Sequence, residues 1–367
     1  MLQGAQMKIA IVIADISLRA GSERAVCNLA NILAKNHSVQ IISLCSREAA
    51  VCQFNLSPDV DIVHLGVELG GNIFQKMKSR MSLLKKLKKS IQEQNIDIVI
   101  GARRVTSFLF AFLPKTCKKI ACEHFNYNQA PSASRLLRKL LYPKLDAVVL
   151  LTHHDAAHYT FIQEKKRFVI PNSLSFVCDT PSNCENKRII ALGRLMPQKG
   201  FDYLLQTAVK LKREIPDWHI DIFGNGEDEA MLKELARKLQ VDDFVTFHPP
   251  TKEVIKELCN SGMYVMSSRF EGLPMVLIEA QECGLPIVSF DCPEGPSEVI
   301  HEGEDGFLVP LADTDALAEK MILLAKNEEM RKRFGKAAKV NCQQFSPQKV
   351  GEMWMDLINK LTVNKGK

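Results

Sequence analysis

Apolar runs of about five or six residues alternate along the chain with amphipathic stretches of ten or more, the sequence form of βαβ units and parallel sheets. In the first half the runs fall at 8–14, 39–44, 96–100, 119–122, 147–151 and 168–170. The series restarts at 188–191, 219–223, 244–247, 263–266, 286–290 and 306–309, with helices predicted between the runs. Residues 172–186 carry Ser, Pro, Asn and Cys without either period, which marks a linker and hinge. The pattern predicts an α/β chain of two Rossmann-like domains, 1–172 and 173–345, followed by a last helix and tail over 346–367. Ser346-Pro347 suits the start of that helix, and its Trp354 and Leu357 need a surface to cover. A length of 367 residues is right for two cores.

Composition narrows the class. Hydrophobic residues at 46% and charged residues at 25% describe a soluble globular protein and exclude extended disorder. The run 9–14 is too short to span a membrane and lacks the basic leader and cleavage site of a signal peptide, so it reads as a strand in a cytoplasmic chain. None of the eleven cysteines forms C-x-x-C, and Cys27, Cys122, Cys259 and Cys283 sit in apolar patterns, which predicts reduced core thiols. Net charge is unevenly spread: residues 1–172 hold 24 Lys+Arg against 12 Asp+Glu, the remainder 24 against 30. The first half is expected to meet something anionic.

Three patterns in the second half fall at predicted strand ends, where open α/β sheets bind ligands. The first is Gly193-Arg194-Leu195-Met196-Pro197-Gln198-Lys199-Gly200, whose Arg194 and Lys199 can converge on a phosphate. The second is Phe223-Gly224-Asn225-Gly226-Glu227, where glycines let a ligand approach the backbone or simply permit a tight strand-to-helix turn. The third runs from Ser267 through Glu271-Gly272-Leu273-Pro274 to Glu279. Pro274 suits the first position of a helix whose free N–H groups would bind a phosphate or sugar oxygen. Glu279, inside that helix among apolar neighbours, is a buried carboxylate fit for a ribose diol, and Glu271 could hold sugar hydroxyls.

The spacing Glu271-x7-Glu279 together with the Gly-Arg-Leu…Lys-Gly loop resembles the retaining glycosyltransferases of family 4, from Gly21-Ser22-Glu23-Arg24 to Phe345-Ser346. The resemblance implies the GT-B fold: two Rossmann-like domains facing across a cleft, with the C-terminal helix crossing back to the first. It implies that Arg194 and Lys199 bind the donor diphosphate, Glu279 the ribose and Glu271 the donor sugar, with backbone amides near Gly272, Leu273 and Pro274 completing the site. Gly21, Gly193, Gly224 and Gly226 are the accompanying donor-side glycines, and His124 in Cys122-Glu123-His124 matches the family's catalytic-region histidine. Arg194, Lys199, Glu271 and His124 are thus the candidate catalytic set. The Asp291–Glu298 loop resembles a subgroup that builds bacterial surface and lipid-linked glycans.

Charge on the departing diphosphate can be stabilised by Arg194, Lys199 and a helix end, so neither a cofactor nor a metal is expected. The D-x-D spellings Asp59-Val60-Asp61 and Asp313-Thr314-Asp315 precede elements and read as a surface turn and a helix cap. No residue marks a covalent nucleophile, which favours same-face attack.

On the acceptor side, residues 72–92 hold Lys76, Lys78, Arg80, Lys85, Lys86, Lys88 and Lys89 without an acid, while Phe74, Met77, Met81, Leu84, Leu87 and Ile91 recur at helical spacing. Arg135, Arg138 and Lys139 make a second basic patch. Few aromatics interleave with these cations and no nucleic-acid module is recognisable, so an anionic lipid surface or lipid diphosphate fits better than nucleic acid. With the family's usual acceptors, this suggests transfer from a nucleotide sugar to a polyprenyl-diphosphate-linked glycan by an enzyme peripheral to the inner face of the cell membrane. A nucleotide-sugar epimerase of the same fold and a non-catalytic membrane-bound binding protein are the competing classes.

Overall fold

The computed structural model describes residues 6–18, 21–45, 51–67, 73–102, 104–124 and 126–362. The chain divides into two compact units, one of residues 1–175 with 346–367 and one of residues 176–345. The first division falls three residues beyond the boundary expected at 172, inside the polar linker.

In the first unit seven strands form one parallel sheet: β1 (Lys8–Ile13), β2 (Ser38–Ser43), β3 (Val60–His64), β4 (Ile98–Gly101), β5 (Lys118–Cys122), β6 (Ala147–Leu150) and β7 (Arg167–Val169). The order is β3-β2-β1-β4-β5-β6-β7, so direction of build reverses between β1 and β4. Both faces are covered, and β1 shows how: Ile9, Ile11 and Ile13 enter one core, Ala10 and Val12 the other. The first core takes the helix Gly21–Leu33 and the C-terminal helix Pro347–Thr362, whose Val350, Trp354, Leu357 and Ile358 are buried there. Trp354 has found its surface.

The second core takes Leu83, Leu87 and Ile91 of the helix Ile73–Glu93 and Tyr142 just after the helix Ser132–Leu141. Both helices therefore lie in one layer on the same face of the sheet. The expected basic helix is present, with Lys78, Arg80, Lys85 and Lys89 on its exposed side. Lys86 donates to the Leu65 carbonyl at 2.7 Å, and Glu93, one residue past the acid-free stretch, lies 3.6 Å from Lys89. The side chains of Phe74, Lys76 and Met77 lie outside the described residues. Met81 departs from the expected apolar stripe: it is 70% exposed.

The strand β3 was not anticipated, because Val-Asp-Ile-Val-His at a sheet edge is only half buried and shows no continuous apolar run. Asp59 precedes it and Asp61 lies within it, exposed.

The second unit repeats the plan with six parallel strands: β8 (Arg188–Leu192), β9 (His219–Phe223), β10 (Val245–His248), β11 (Met263–Met266), β12 (Ile287–Phe290) and β13 (Gly306–Val309). Their order is β10-β9-β8-β11-β12-β13. The reversal lies between β8 and β11, the crevice at which open α/β sheets take ligands. Among the described residues no helix is long and apolar enough to cross a membrane. All eleven cysteines are free thiols.

Candidate active site

The loops after β8 and β11 leave the sheet side by side and are stitched together. Arg269 N donates to the Gln198 carbonyl at 2.8 Å, Gln198 Nε2 to the Phe270 carbonyl at 3.0 Å, and Ser267 Oγ to the Lys199 carbonyl at 3.1 Å. Arg269 forks onto both Asp202 oxygens at 2.8 and 2.7 Å and lies over the Tyr203 ring. Gly200 shows why the first loop ends in glycine. Its φ of +60° is left-handed, and a Cβ there would stand 2.1 Å from the Ser267 carbonyl oxygen.

This stitching brings Lys199 and Glu271 into contact: Lys199 Nζ donates to Glu271 Oε1 at 2.7 Å, with both side chains largely buried. The Lys199 stem crosses Gly193, where a Cβ would meet three of its carbons at 3.3 Å. Arg194 stands exposed on the same loop. A cation and an anion from two loops thus meet at the reversal point of the sheet.

The glycines after β9 have a structural reason for being there. A Cβ on Gly224 would lie 1.8 Å from the Gly193 carbonyl oxygen, and one on Gly226 2.0 Å from that of Leu195. Leu195 N also donates to the Asn225 carbonyl at 2.8 Å. These glycines set the position of the Arg194 loop. By contrast Gly21, in the first unit at the start of its helix, has nothing within 4 Å of a built Cβ. Gly224→Ala should lower stability by about 1–3 kcal/mol through overpacking, while Gly21→Ala should stay within about 0.5 kcal/mol. Urea unfolding of both variants checks this, and an unperturbed Gly224→Ala would contradict the loop packing.

Pro274 is the N-cap of the helix Met275–Glu282, one residue earlier than the first helical position expected for it. That helix is buried on nearly every side through Leu277, Ile278, Glu279, Ala280, Gln281 and Glu282. Glu279 is only 2% exposed. The loop after β12 packs on the helix entrance: Gly295 has a φ of +110°, and a Cβ there would stand 2.0 Å from the Gly272 carbonyl oxygen and 2.6 Å from Pro274. Leu273 is buried.

Two residues near the site were not among the candidate site residues read from the sequence. Tyr264, on β11, is buried and bonds the Leu192 backbone through its hydroxyl. Burial, and then the neighbouring carboxylates Glu271 and Glu279, hold its hydroxyl well above the usual tyrosine range. Cys292 is buried beside Glu271 and Asp291, and burial first, then those charges, push its thiol up to about 12.

His124 follows β5 in the first unit, half-buried, and lines a cavity there with Ala25, Ala102, Ser173 and Trp354. Its neighbour Glu123 is fully buried. Arg138 Nη2 donates to Glu123 Oε2 at 2.5 Å, and the Tyr142 hydroxyl donates to Oε1. Burial raises the Glu123 carboxyl above its usual range even though Arg138 opposes the shift. The expectation of a surface role for Arg138 is therefore overturned: the side chain is 0% exposed and lies over the Tyr127 and Tyr159 rings at 5.6 and 5.7 Å. Arg135 is half-buried and Lys139 exposed. Asp313 of the second D-x-D caps a helix, accepting from Ala316 N at 2.9 Å.

Comparison with known proteins agrees with this plan in both units. The profile described as Glycosyl transferases group 1 matches residues 179–341 and that described as Glycosyltransferase Family 4 matches 19–176. An uncharacterized glycosyltransferase of Haemophilus influenzae is 32% identical over 96% of this chain and 99% of its own length. The chain belongs to the glycosyl transferases group 1 family. A second relative of this glycosyltransferase, from Campylobacter jejuni, is 29% identical over 96% of the chain and 98% of its own length. Its name is GalNAc-alpha-(1->4)-GalNAc-alpha-(1->3)-diNAcBac-PP-undecaprenol alpha-1,4-N-acetyl-D-galactosaminyltransferase. Among solved structures, a TarM mutant of S. aureus in complex with Fondaparinux, alpha-GlcNAc-glycerol and UDP superposes with a TM-score of 0.78. The match covers 96% of this chain and all of that one at 14% identity, and the fold is GT-B.

Proposed function

We propose that this glycosyltransferase moves a hexose or N-acetylhexosamine, with retention, from a UDP-linked donor to a polyprenyl-diphosphate-linked glycan in surface polysaccharide or lipid-linked oligosaccharide assembly. The observation that carries the donor half is the Lys199–Glu271 pair at 2.7 Å where the sheet of the second unit reverses. A bound sugar diphosphate gives each partner something better: Lys199 turns to the diphosphate with Arg194, and Glu271 accepts from sugar hydroxyls. Free N–H groups at the start of the helix Met275–Glu282 add charge stabilisation as the diphosphate leaves, and Glu279 takes the ribose diol. No metal enters this scheme. The departing diphosphate accepts the acceptor's proton on the face it leaves, and His124 contributes to the catalytic region.

The acceptor half is supported by the excess of cations in residues 1–172 and by the exposed lysines of the helix Ile73–Glu93. It is also supported by the undecaprenyl-diphosphate glycan in the name of the C. jejuni relative, and the choice of UDP by the ligand of TarM. The test is transfer from UDP-linked donors to a solubilised polyprenyl-diphosphate glycan, with the new linkage assigned by NMR. An axial donor should give an axial linkage, and activity should survive excess EDTA. An inverted linkage would refute retention, and loss restored by manganese would refute the metal-free scheme.

A further inference from the structure

The helix Ser132–Leu141 is built inside out. In most surface helices the apolar stripe faces the core and the cations face water. Here Arg138 is 0% exposed, whereas Leu136, Leu137 and Leu140 are 59%, 42% and 59% exposed. The roll of the helix is fixed by its inward side, where Arg138 is paired with Glu123 and laid against the Tyr127 and Tyr159 rings. With Arg138 held there, helical spacing sends Ala133, Leu136, Leu137 and Leu140 outward as one stripe.

The surroundings of that stripe are cationic. Lys139 borders it and Lys144 follows it, while Arg135 is half-buried on the side nearer Arg138, and the sequence from His124 to Leu145 contains no acid. The basic helix Ile73–Glu93 shares the same layer of the fold through the core that also holds Tyr142, and it exposes Met81 among its lysines. A leucine stripe with exposed lysines beside it and no acid in its own segment matches the boundary between anionic headgroups and acyl chains, where the leucines leave water and the cations keep contact with phosphate.

We propose that Leu136, Leu137 and Leu140 insert into the interface of an anionic bilayer, with Lys139 and Lys144 held at the lipid phosphates. This rests on the reading of a membrane-borne acceptor and adds the element that anchors the enzyme beside it.

The two tryptophans, Trp218 and Trp354, are both buried, so a Leu137→Trp variant reports on the helix. Mixed with vesicles of phosphatidylglycerol and phosphatidylcholine, its emission should shift to the blue and be quenched by brominated acyl chains. Vesicles of phosphatidylcholine alone should give much weaker binding. Leu136→Ser/Leu140→Ser should retain the wild-type melting temperature and lose vesicle affinity about a hundredfold, about tenfold per leucine. Unchanged vesicle flotation of this double variant would overturn the proposal. So would an unshifted Leu137→Trp spectrum, or sedimentation showing that the stripe instead joins two copies of the chain. Transfer to the detergent-solubilised acceptor is measured in parallel. Insertion without such transfer would sink the acceptor reading alone, and transfer without insertion would sink only the anchor.

Discussion

Replacing Lys199 by alanine is expected to lower turnover on the order of 10²–10³-fold while changing the donor KM much less. The ammonium at the sheet reversal is already charge-paired before any donor arrives, through its 2.7 Å bond to Glu271. Its exchange onto the diphosphate gains most as negative charge develops on the leaving group, so the loss falls on kcat. Glu279→Ala should instead weaken nucleotide binding about ten- to a hundredfold, the effect of removing a buried acceptor of two ribose hydrogen bonds. Steady-state kinetics and UDP titration calorimetry separate the two variants. Lys199→Arg, which keeps the charge near Glu271, serves as the control for a purely structural effect. Wild-type kinetics in both alanine variants would remove the donor-site assignment.

The largest effect on stability is expected at Arg138. Its replacement by alanine leaves Glu123 buried without its counter-ion, at a cost of about 3–5 kcal/mol. Changing both partners, as Glu123→Leu with Arg138→Met, should recover most of that loss, because two buried charges are removed together. The deficit of Arg138→Ala should also depend on pH. Burial already raises the Glu123 carboxyl, and without Arg138 only the hydrogen bond from the Tyr142 hydroxyl still opposes that rise. Protonated Glu123 then suits the native state, so the variant should be least impaired below about pH 4 and lose stability as pH rises through the raised native value. Urea denaturation of the three variants between acid and neutral pH measures this. A deficit independent of pH, or a double variant as unstable as Arg138→Ala, would show that the pair is not the cause.

Much of the fold was legible because parallel strands buried on both faces are rich in apolar residues, and twelve of the thirteen strands coincide with a segment expected from the pattern. The exception, β3, lies at an edge, is only half buried and holds just two adjacent apolar residues, Ile62 and Val63, after Asp61, so neither a run nor a clear alternation announced it. The candidate site was legible where chemistry and position coincided. Lys199 and Glu271 were both picked out as polar residues at strand ends, but their pairing across 72 residues depends on β8 and β11 being neighbours. Order in the sheet is invisible in a strand-by-strand reading.

Arg138 was misread for a related reason. Helical spacing gives the faces of Ser132–Leu141 but not which face turns inward, and the default places leucine inside. The partner that reverses the default, Glu123, is 15 residues away on another element. Gly224 shows the converse, since a glycine that lets a ligand approach and one that lets a neighbouring carbonyl approach are the same residue in a sequence. Only the 1.8 Å clash of a built Cβ with Gly193 separates them.

The proposed activity is tested most directly by offering the purified chain a panel of nucleotide sugars, each with and without a polyprenyl-diphosphate-linked glycan, and measuring the nucleotide released. Acceptor-dependent release of UDP from one donor, abolished by Lys199→Ala, is the expected result. Release of no nucleotide from any donor in the presence of acceptor, or conversion of a donor to its epimer without incorporation into the acceptor, would contradict it.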